Sequence, residues 1–108
     1  MKNPHYTKPE WYSRLKPGQI IRHFKRDFLY PGEEKTNKYL YKVLALGQHT
    51  ETGEDMLVYQ ALYAPFDVYV RPLSMALEPV DKEKYPEAIQ EYRLVEYTTE
   101  MMEEEYGL

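Results

Sequence analysis

Residues 39–63 read YLYKVLALG (39–47), QHTETGED (48–55) and MLVYQALY (56–63), and this stretch decides the fold. The first and third segments are rich in aromatic and aliphatic residues over the length of one strand each. The segment between them contains Thr50, Thr52 and Gly53, which are typical of a hairpin loop. The near-continuous apolarity of 39–47 leaves a helix open, but the flanking turns favour two antiparallel strands joined by a short loop.

Further strands are predicted on both sides of this hairpin. The turn signal Lys16-Pro17-Gly18 precedes one strand, and Pro72 ends another because proline fixes φ and restricts the residue before it. Residues 73–77 suit a single helical turn. The polar residues 26–38 predict a long exposed loop, and residues 81–91 a connector with one possible helical turn over 86–91. The predicted strands are 19–25, 39–47, 56–63, 67–71 and 92–97.

The chain divides into three parts in this interpretation. Residues 1–17 form an extended N-terminal arm, which Trp11 and Tyr12 are expected to pin onto the domain because large aromatic rings are costly to expose. Residues 18–97 form one domain, and the acidic tail 98–108 is expected to be a solvated helix or disordered, adding little stability. Five short strands with tight turns predict a mainly β fold, either a small barrel or a strongly bent sheet.

The predicted core follows the apolar positions of these strands and of the helical turn. It consists of Ile20, Phe24, Val43, Leu44, Leu46, Val58, Leu62, Val70, Leu73, Met75, Leu77 and Leu94.

Composition excludes several classes of protein. The chain has no cysteine, so disulfides, thiolate metal sites and thiol nucleophiles are absent. No apolar run approaches the roughly 20 residues of a membrane-spanning helix, and no signal segment is visible. We therefore expect a cytoplasmic protein that does not enter membranes.

Four short motifs resemble one known family. HFK (23–25), HTET (49–52), VYQALY (58–63) and VRPLSM (70–75) occur in the order and spacing of the bacterial domain-of-unknown-function 1653 family, over about residues 18–80. This resemblance implies an SH3-like barrel and brings no established activity. The loop at 26–38 is longer than the family's short turn, and Ala76 stands where an aromatic residue often follows the methionine.

The residues that carry catalysis or bind metals do not form a recognisable pattern. His5, His23 and His49 show no short pairing of the kind that ligates a metal ion. Ser13 and Ser74 are the only serines, and neither lies in a nucleophile-elbow context. We expect no catalytic residues, no metal site and no cofactor.

Binding is the better supported class of function. The chain has 12 tyrosines, a residue favoured at interfaces because it combines contact area with a polar tip. Val68 and Val70 are expected to be the inward residues of their strand, so strand alternation turns Tyr69 and Arg71 to the other, exposed face. We place Arg71 at the centre of a recognition surface; the alternative is that it binds Glu78 or nearby carbonyls and locks a corner. The other candidate binding residues are Tyr69, Tyr59, Tyr63, His23 and Arg22.

The partner expected first is a protein or peptide. Nucleic acid is the alternative, because basic and aromatic side chains alternate in segment 22–42, the combination that binds phosphates and bases. Residues 1–48 carry ten Lys/Arg and four Asp/Glu, whereas residues 49–108 carry four and fourteen. This asymmetry favours a basic face, but the net charge of −4 opposes it. We expect a monomer or a weak homodimer.

Overall fold

The computed structural model describes residues 15–107. It contains the five predicted strands, with ends displaced by a few residues, and the helical turn after the fourth. Residues 1–14, including Trp11 and Tyr12, lie outside the described part. The strands are β1 (Ile20–His23), β2 (Leu40–Gln48), β3 (Asp55–Ala61), β4 (Val68–Pro72) and β5 (Leu94–Glu96); the helices are α1 (Leu73–Ala76) and α2 (Thr99–Tyr106), with 3-10 helices at Phe24–Phe28 and Glu33–Lys35.

The five strands form one antiparallel sheet in the order β4-β3-β2-β1-β5. The mainly β class is therefore confirmed. Outside the strands, residues 78–80 run beside residues 91–93: the Val80 amide donates to the Glu91 carbonyl at 2.8 Å, and the Arg93 amide to the Glu78 carbonyl at 2.9 Å. This pairing joins the chain that leaves α1 to the chain that enters β5. The described pairs make an open sheet, which is consistent with the SH3-like barrel that the resemblance implies.

One face of the sheet, called here the core face, packs against α1. Ile21, Val43, Leu57 and Leu94 lie on it with at most 1% of their surface exposed. Helix α1 and the residue after it contribute Leu73, Ala76 and Leu77. Phe24, Val80 and Ala88 form a second, smaller buried cluster. Phe24 links the two because it follows β1 directly.

The predicted orientation of β4 was wrong. Val68 and Val70 are 53% and 62% exposed, whereas Tyr69 pairs with Tyr59 and its ring contacts that residue at 5.7 Å between centroids. Alternation alone favours the apolar Val68 and Val70 inside and the polar Tyr69 and Arg71 outside. The structure reverses this because the β3 partners of Tyr69 and Arg71 are Tyr59 and Leu57, which are buried on the core face.

Three other core predictions were also wrong. Leu44, Leu46 and Met75 are 38%, 40% and 43% exposed. In β2 the register slips by one residue between Val43 and Ala45, and the side chains beyond this bulge are exposed. A bulge turns a strand locally and interrupts alternation. Ile20, Val58 and Leu62 are half-buried, and the remaining five predicted core residues are buried.

The predicted loop 26–38 was only partly right. It contains two 3-10 helices, and Arg26 is 3% exposed. The connector 81–91 has turns but no helical turn over 86–91. The tail is a helix: Thr98 caps α2 by accepting a hydrogen bond from the Met101 amide at 3.2 Å, and Gly107 ends it with φ 69°. Serine or threonine at the start and left-handed glycine after the end are common helix boundaries.

Candidate functional site

A polar cleft of about 550 Å³ opens beside the end of β1. Strand β4, the first 3-10 helix, the 78–80 segment and the connector before β5 contribute its walls. Because these elements are far apart in sequence, the cleft exists only in the folded chain. Its lining residues are His23, Phe24, Lys25, Arg71, Glu78, Pro79, Asp81, Lys84, Tyr85 and Arg93.

The charges of the cleft do not balance. Four basic side chains line it, and only Glu78 and Asp81 oppose them. Glu78 pairs with Arg93 at 3.5 Å, and both side chains are at least one third exposed. Asp81 accepts hydrogen bonds from the amides of Glu83 and Lys84 at 3.0 and 3.2 Å. The acidic groups are thus engaged locally, and an excess of positive charge remains.

Arg71 lines the cleft as a half-buried basic side chain. Within residues 15–107 its guanidinium makes no hydrogen bond or ion pair. Glu78, the partner expected if Arg71 locked the corner after β4, pairs with Arg93 instead. A half-buried guanidinium has five donors to satisfy, so Arg71 is available for an acidic group from outside.

His23 lines the cleft as a neutral donor. Its Nδ1 accepts a hydrogen bond from the Lys25 amide at 3.0 Å, which caps the first 3-10 helix. Burial, reinforced by the charges of Lys25, Arg93 and Arg71, lowers the pKa of His23 to about 4. At neutral pH the single proton is therefore on Nε2, and His23 offers an N–H without adding charge.

Aromatic rings form one side of the cleft. His23 stacks on Phe24 with 4.8 Å between centroids, and Tyr85 meets Phe24 edge-on at 4.9 Å. Phe24 is 3% exposed and anchors this wall in the second core cluster. The ammonium of Lys84 lies 5.5 Å from the Tyr85 ring centre. Charged and aromatic groups are therefore adjacent here.

A tyrosine cluster continues from the cleft across the core face. Tyr41 lies at its centre, with its ring centre 5.3 Å from Tyr59, 5.7 Å from Tyr63 and 6.3 Å from Tyr69. The hydroxyls of Tyr41 and Tyr63 are hydrogen-bonded at 2.7 Å. Burial and this hydrogen bond raise the pKa of Tyr41, and burial raises the pKa of Tyr59. His23 joins the cluster to the cleft, 6.4 Å from Tyr41.

Five of the six predicted binding residues come together on the core face. His23 and Arg71 line the cleft, and the tyrosine cluster beside it contains Tyr59, Tyr63 and Tyr69. The positive charges of Arg71 and Arg93 oppose the burial that raises the pKa of Tyr59, so both arginines lie close to this tyrosine. The sixth, Arg22, alternates with Ile21 and His23 and therefore lies on the opposite face.

Lys84, Tyr85 and Arg93 were missed, because residues of connectors carry no sequence signal that distinguishes a cleft from ordinary surface.

Arg22 and Arg26 hold helix α2. Arg22 donates from Nε to Glu105 at 2.9 Å and pairs through Nη1 with Asp27 at 3.0 Å. Arg26, whose side chain is fully buried, contacts Glu105 at 3.1 Å and donates to the carbonyls of Lys38 and Glu34 at 2.6 and 3.0 Å. We call this set of charged residues the latch network: Arg22, Arg26, Asp27 and Glu105. Glu105 is its member from α2 and connects that helix to the two arginines.

Glu105 is ionised in this latch network. Burial raises its pKa, but hydrogen bonds from Arg26, Tyr97 and Arg22 outweigh burial, and the pKa of Glu105 is lowered overall. Tyr97 donates its hydroxyl to Glu105, and burial together with this bond raises the pKa of Tyr97 to about 12. The arginines of segment 22–42 are thus neutralised within the protein.

Two other features are absent from the described residues, a metal-binding cluster and a membrane-spanning helix. No three His, Cys, Asp or Glu side chains of residues 15–107 are grouped so that they would hold a metal ion. Nor does any helix in that range have the length and apolarity needed to cross a membrane.

Comparison with known proteins gives one informative result. Neither the curated proteins nor the solved structures contain a match to this chain. A family model described as "Protein of unknown function (DUF1653)" matches residues 19–95, which include all five strands except the last residue of β5, and every lining residue of the cleft. Because this match spans well over half of the 108 residues, the chain belongs to the DUF1653 family.

Proposed function

We propose that this domain is a non-catalytic binding module that holds an acidic segment of a protein or peptide in the polar cleft. The observation that supports this most is Arg71, a half-buried guanidinium with no partner in residues 15–107. A planar donor fork matches a carboxylate in a bidentate geometry. An Asp or Glu side chain, or a chain terminus, would satisfy it.

The surroundings of Arg71 suit a peptide. Lys25 and Lys84 add positive charge to the cleft, and His23 adds a neutral Nε2–H donor. The rings of Phe24 and Tyr85 provide an apolar side against which a neighbouring side chain of the ligand can pack. Arginine and tyrosine are also among the residues enriched in interface hot spots.

Nucleic acid is less well supported, because three of the six basic side chains in segment 22–42 are neutralised by acidic partners. Arg22 and Arg26 are paired with Glu105, and Lys38 is paired with Glu33 at 2.9 Å. Binding to a phosphate backbone needs several unpaired cations along one track. A compact cleft with one unpaired guanidinium fits a single acidic group better.

The test is peptide selection followed by affinity measurement. A random peptide library displayed on phage is selected on the immobilised protein, and enriched sequences are synthesised and measured by fluorescence anisotropy. We expect enrichment of acidic residues, and a loss of about 10- to 100-fold in affinity on Arg71→Ala, because a hydrogen bond to a charged group is worth roughly 1.5–3 kcal/mol. Lys42→Ala, which removes an exposed cation of β2 outside the cleft, is the control and should leave affinity unchanged.

Two results would contradict the proposal. One is selected peptides without acidic residues that bind Arg71→Ala as well as the original protein. The other is tight binding of a single-stranded oligonucleotide with a steep dependence on salt concentration, which would favour the nucleic-acid alternative. Melting temperatures of both variants are measured alongside, and we expect them to be close to the original because Arg71 makes no hydrogen bond or ion pair within residues 15–107.

A further inference from the structure

Strand β4 is an open edge of the sheet. It is the terminal strand in the order β4-β3-β2-β1-β5, and β3 is its only neighbour. Exposed edges can pair with another chain, and proteins usually protect them with lysine, bulges or a covering segment. Within residues 15–107, nothing hydrogen-bonds to the outer edge of β4. This edge therefore has unused pairing capacity.

The register identifies the backbone groups that point outward. The Ala61 amide donates to the Asp67 carbonyl at 2.9 Å, so Ala61 and Asp67 form a hydrogen-bonded pair. Such pairs alternate along an antiparallel ladder, which makes Tyr59 and Tyr69 the next one. The amides and carbonyls of Val68 and Val70, between these positions, consequently point away from β3.

The sequence of β4 is self-complementary about Tyr69. Residues 67–71 read DVYVR, and in an antiparallel pair centred on Tyr69 each Val68 faces Val70 of the second copy. Asp67 then faces Arg71 of the second copy. This register joins the outward amides and carbonyls in four hydrogen bonds, and it places opposite charges across from each other at both ends, which is favourable in a cross-strand pair.

Neighbouring registers are worse. A pair centred on Val70 places Val68 opposite Pro72, which has no amide hydrogen, so this register also makes four hydrogen bonds, but Asp67 no longer faces Arg71 of the second copy. A shift of a single residue brings inward-facing groups of one strand against outward-facing groups of the other. Hydrogen bonding therefore excludes the shift by a single residue, and the facing charges of Asp67 and Arg71 favour the Tyr69-centred register over the Val70-centred one.

We propose that a second copy of this chain pairs with β4, forming a symmetric dimer with a continuous ten-stranded sheet. The surfaces beside the edge suit this partner. On the outer face, Val68 and Val70, 53% and 62% exposed, meet the same residues of the second copy. On the core face, the two Tyr69 rings, each 41% exposed, become neighbours. The interface is isologous, as in most homodimers.

The dimer does not depend on the proposed function, although both involve Arg71. An acidic ligand and Asp67 of the second copy would contact the same guanidinium, so ligand binding should weaken dimerisation. The experiment below reports on β4 pairing alone and needs no ligand.

Cysteine crosslinking tests the register directly, because the chain has no cysteine of its own. In the proposed dimer, residue 69 faces its own copy in a non-hydrogen-bonded pair with Cα atoms about 4.5 Å apart, inside the range of about 4.4–6.8 Å that disulfides span. Val70 is displaced from its own copy by two residues, with Cα atoms roughly 8–9 Å apart, too far for a disulfide. Under mild oxidation Tyr69→Cys should yield a covalent dimer on a non-reducing gel, and Val70→Cys should not.

Charge reversal gives an independent measurement on the uncrosslinked protein. Asp67→Arg places two arginines opposite each other at each end, and in sedimentation equilibrium the dimer dissociation constant should rise at least about tenfold. The double variant Asp67→Arg/Arg71→Asp exchanges the charges and should restore dimerisation. Glu51→Arg, the same charge change in the exposed β2–β3 loop, should have no effect.

Each opposite outcome would overturn the proposal. If Val70→Cys crosslinks as fast as Tyr69→Cys, the contacts are random collisions or another register. If neither crosslinks and the unmodified chain sediments as a monomer at every concentration, β4 does not pair with a second copy. If Asp67→Arg leaves the dimer intact, a different surface holds it. Circular dichroism melts confirm that each variant is folded.

Discussion

The latch network predicts that the acidic tail contributes strongly to stability, contrary to what its composition suggests. Glu105→Ala removes the one acidic group that bridges Arg22 and Arg26. The Arg26 side chain is fully buried, so its charge would lose its anionic partner without access to water. Breaking a buried ion pair costs about 3–5 kcal/mol.

The expected cost is smaller than that range for two reasons. Arg26 keeps the carbonyls of Lys38 and Glu34 as acceptors, and Arg22 keeps Asp27. Helix α2 has no buried residue, so it can detach and let water reach both guanidinium groups. We expect about 2–3 kcal/mol of lost stability, which corresponds to a drop of roughly 8–20 °C in melting temperature for a domain of this size.

The assay is thermal unfolding followed by circular dichroism. Glu104→Ala is the matched control, because Glu104 is the preceding residue on α2 and its side chain is exposed; its free energy of unfolding should change by less than about 0.5 kcal/mol. A chain ending at Tyr97 should be destabilised at least as much as Glu105→Ala, since detachment of α2 sets the upper limit. A melting temperature for Glu105→Ala within about 2 °C of the original would refute this reasoning and leave the tail dispensable.

Three further predictions concern burial and titration. Val43→Ala should cost about 1–3 kcal/mol because Val43 is fully buried, whereas Val70→Ala, 62% exposed, should cost less than about 0.5 kcal/mol in urea unfolding. The folded-state pKa of Glu105 is lowered, so ionised Glu105 stabilises the fold above the ordinary carboxyl pKa of about 4.3, and this stabilisation is lost as pH falls through the folded-state pKa. In a plot of unfolding free energy against pH, Glu105→Gln should remove this acid-dependent loss. His23, with its pKa lowered to about 4, should keep the Nε2–H tautomer from pH 8 to 5 in nitrogen NMR spectra, and its preference for the neutral form should make stability fall between about pH 6.5 and 4.

The sequence by itself determined the strands and the absence of thiol chemistry. Turn signals such as Pro17-Gly18 and the loop around Gly53 act locally, and the runs between them have the length and residue types of strands. Pro72 ends β4 because its ring fixes φ and leaves it without a backbone amide hydrogen. These properties depend on a few neighbouring residues, so they can be read without knowing where the rest of the chain lies.

Tertiary structure alone decided which face of β4 turns inward and which charges are available. The alternation in DVYVR favours the valines inside, but pairing of Tyr69 with Tyr59 and of Arg71 with Leu57 places Val70 outside. Similarly, Arg22 and Arg71 are both arginines within strands, but Arg22 meets Glu105, 83 positions away in the chain, whereas Arg71 faces a cleft. Pairing of charges depends on contacts between distant segments, and a linear sequence does not contain those distances.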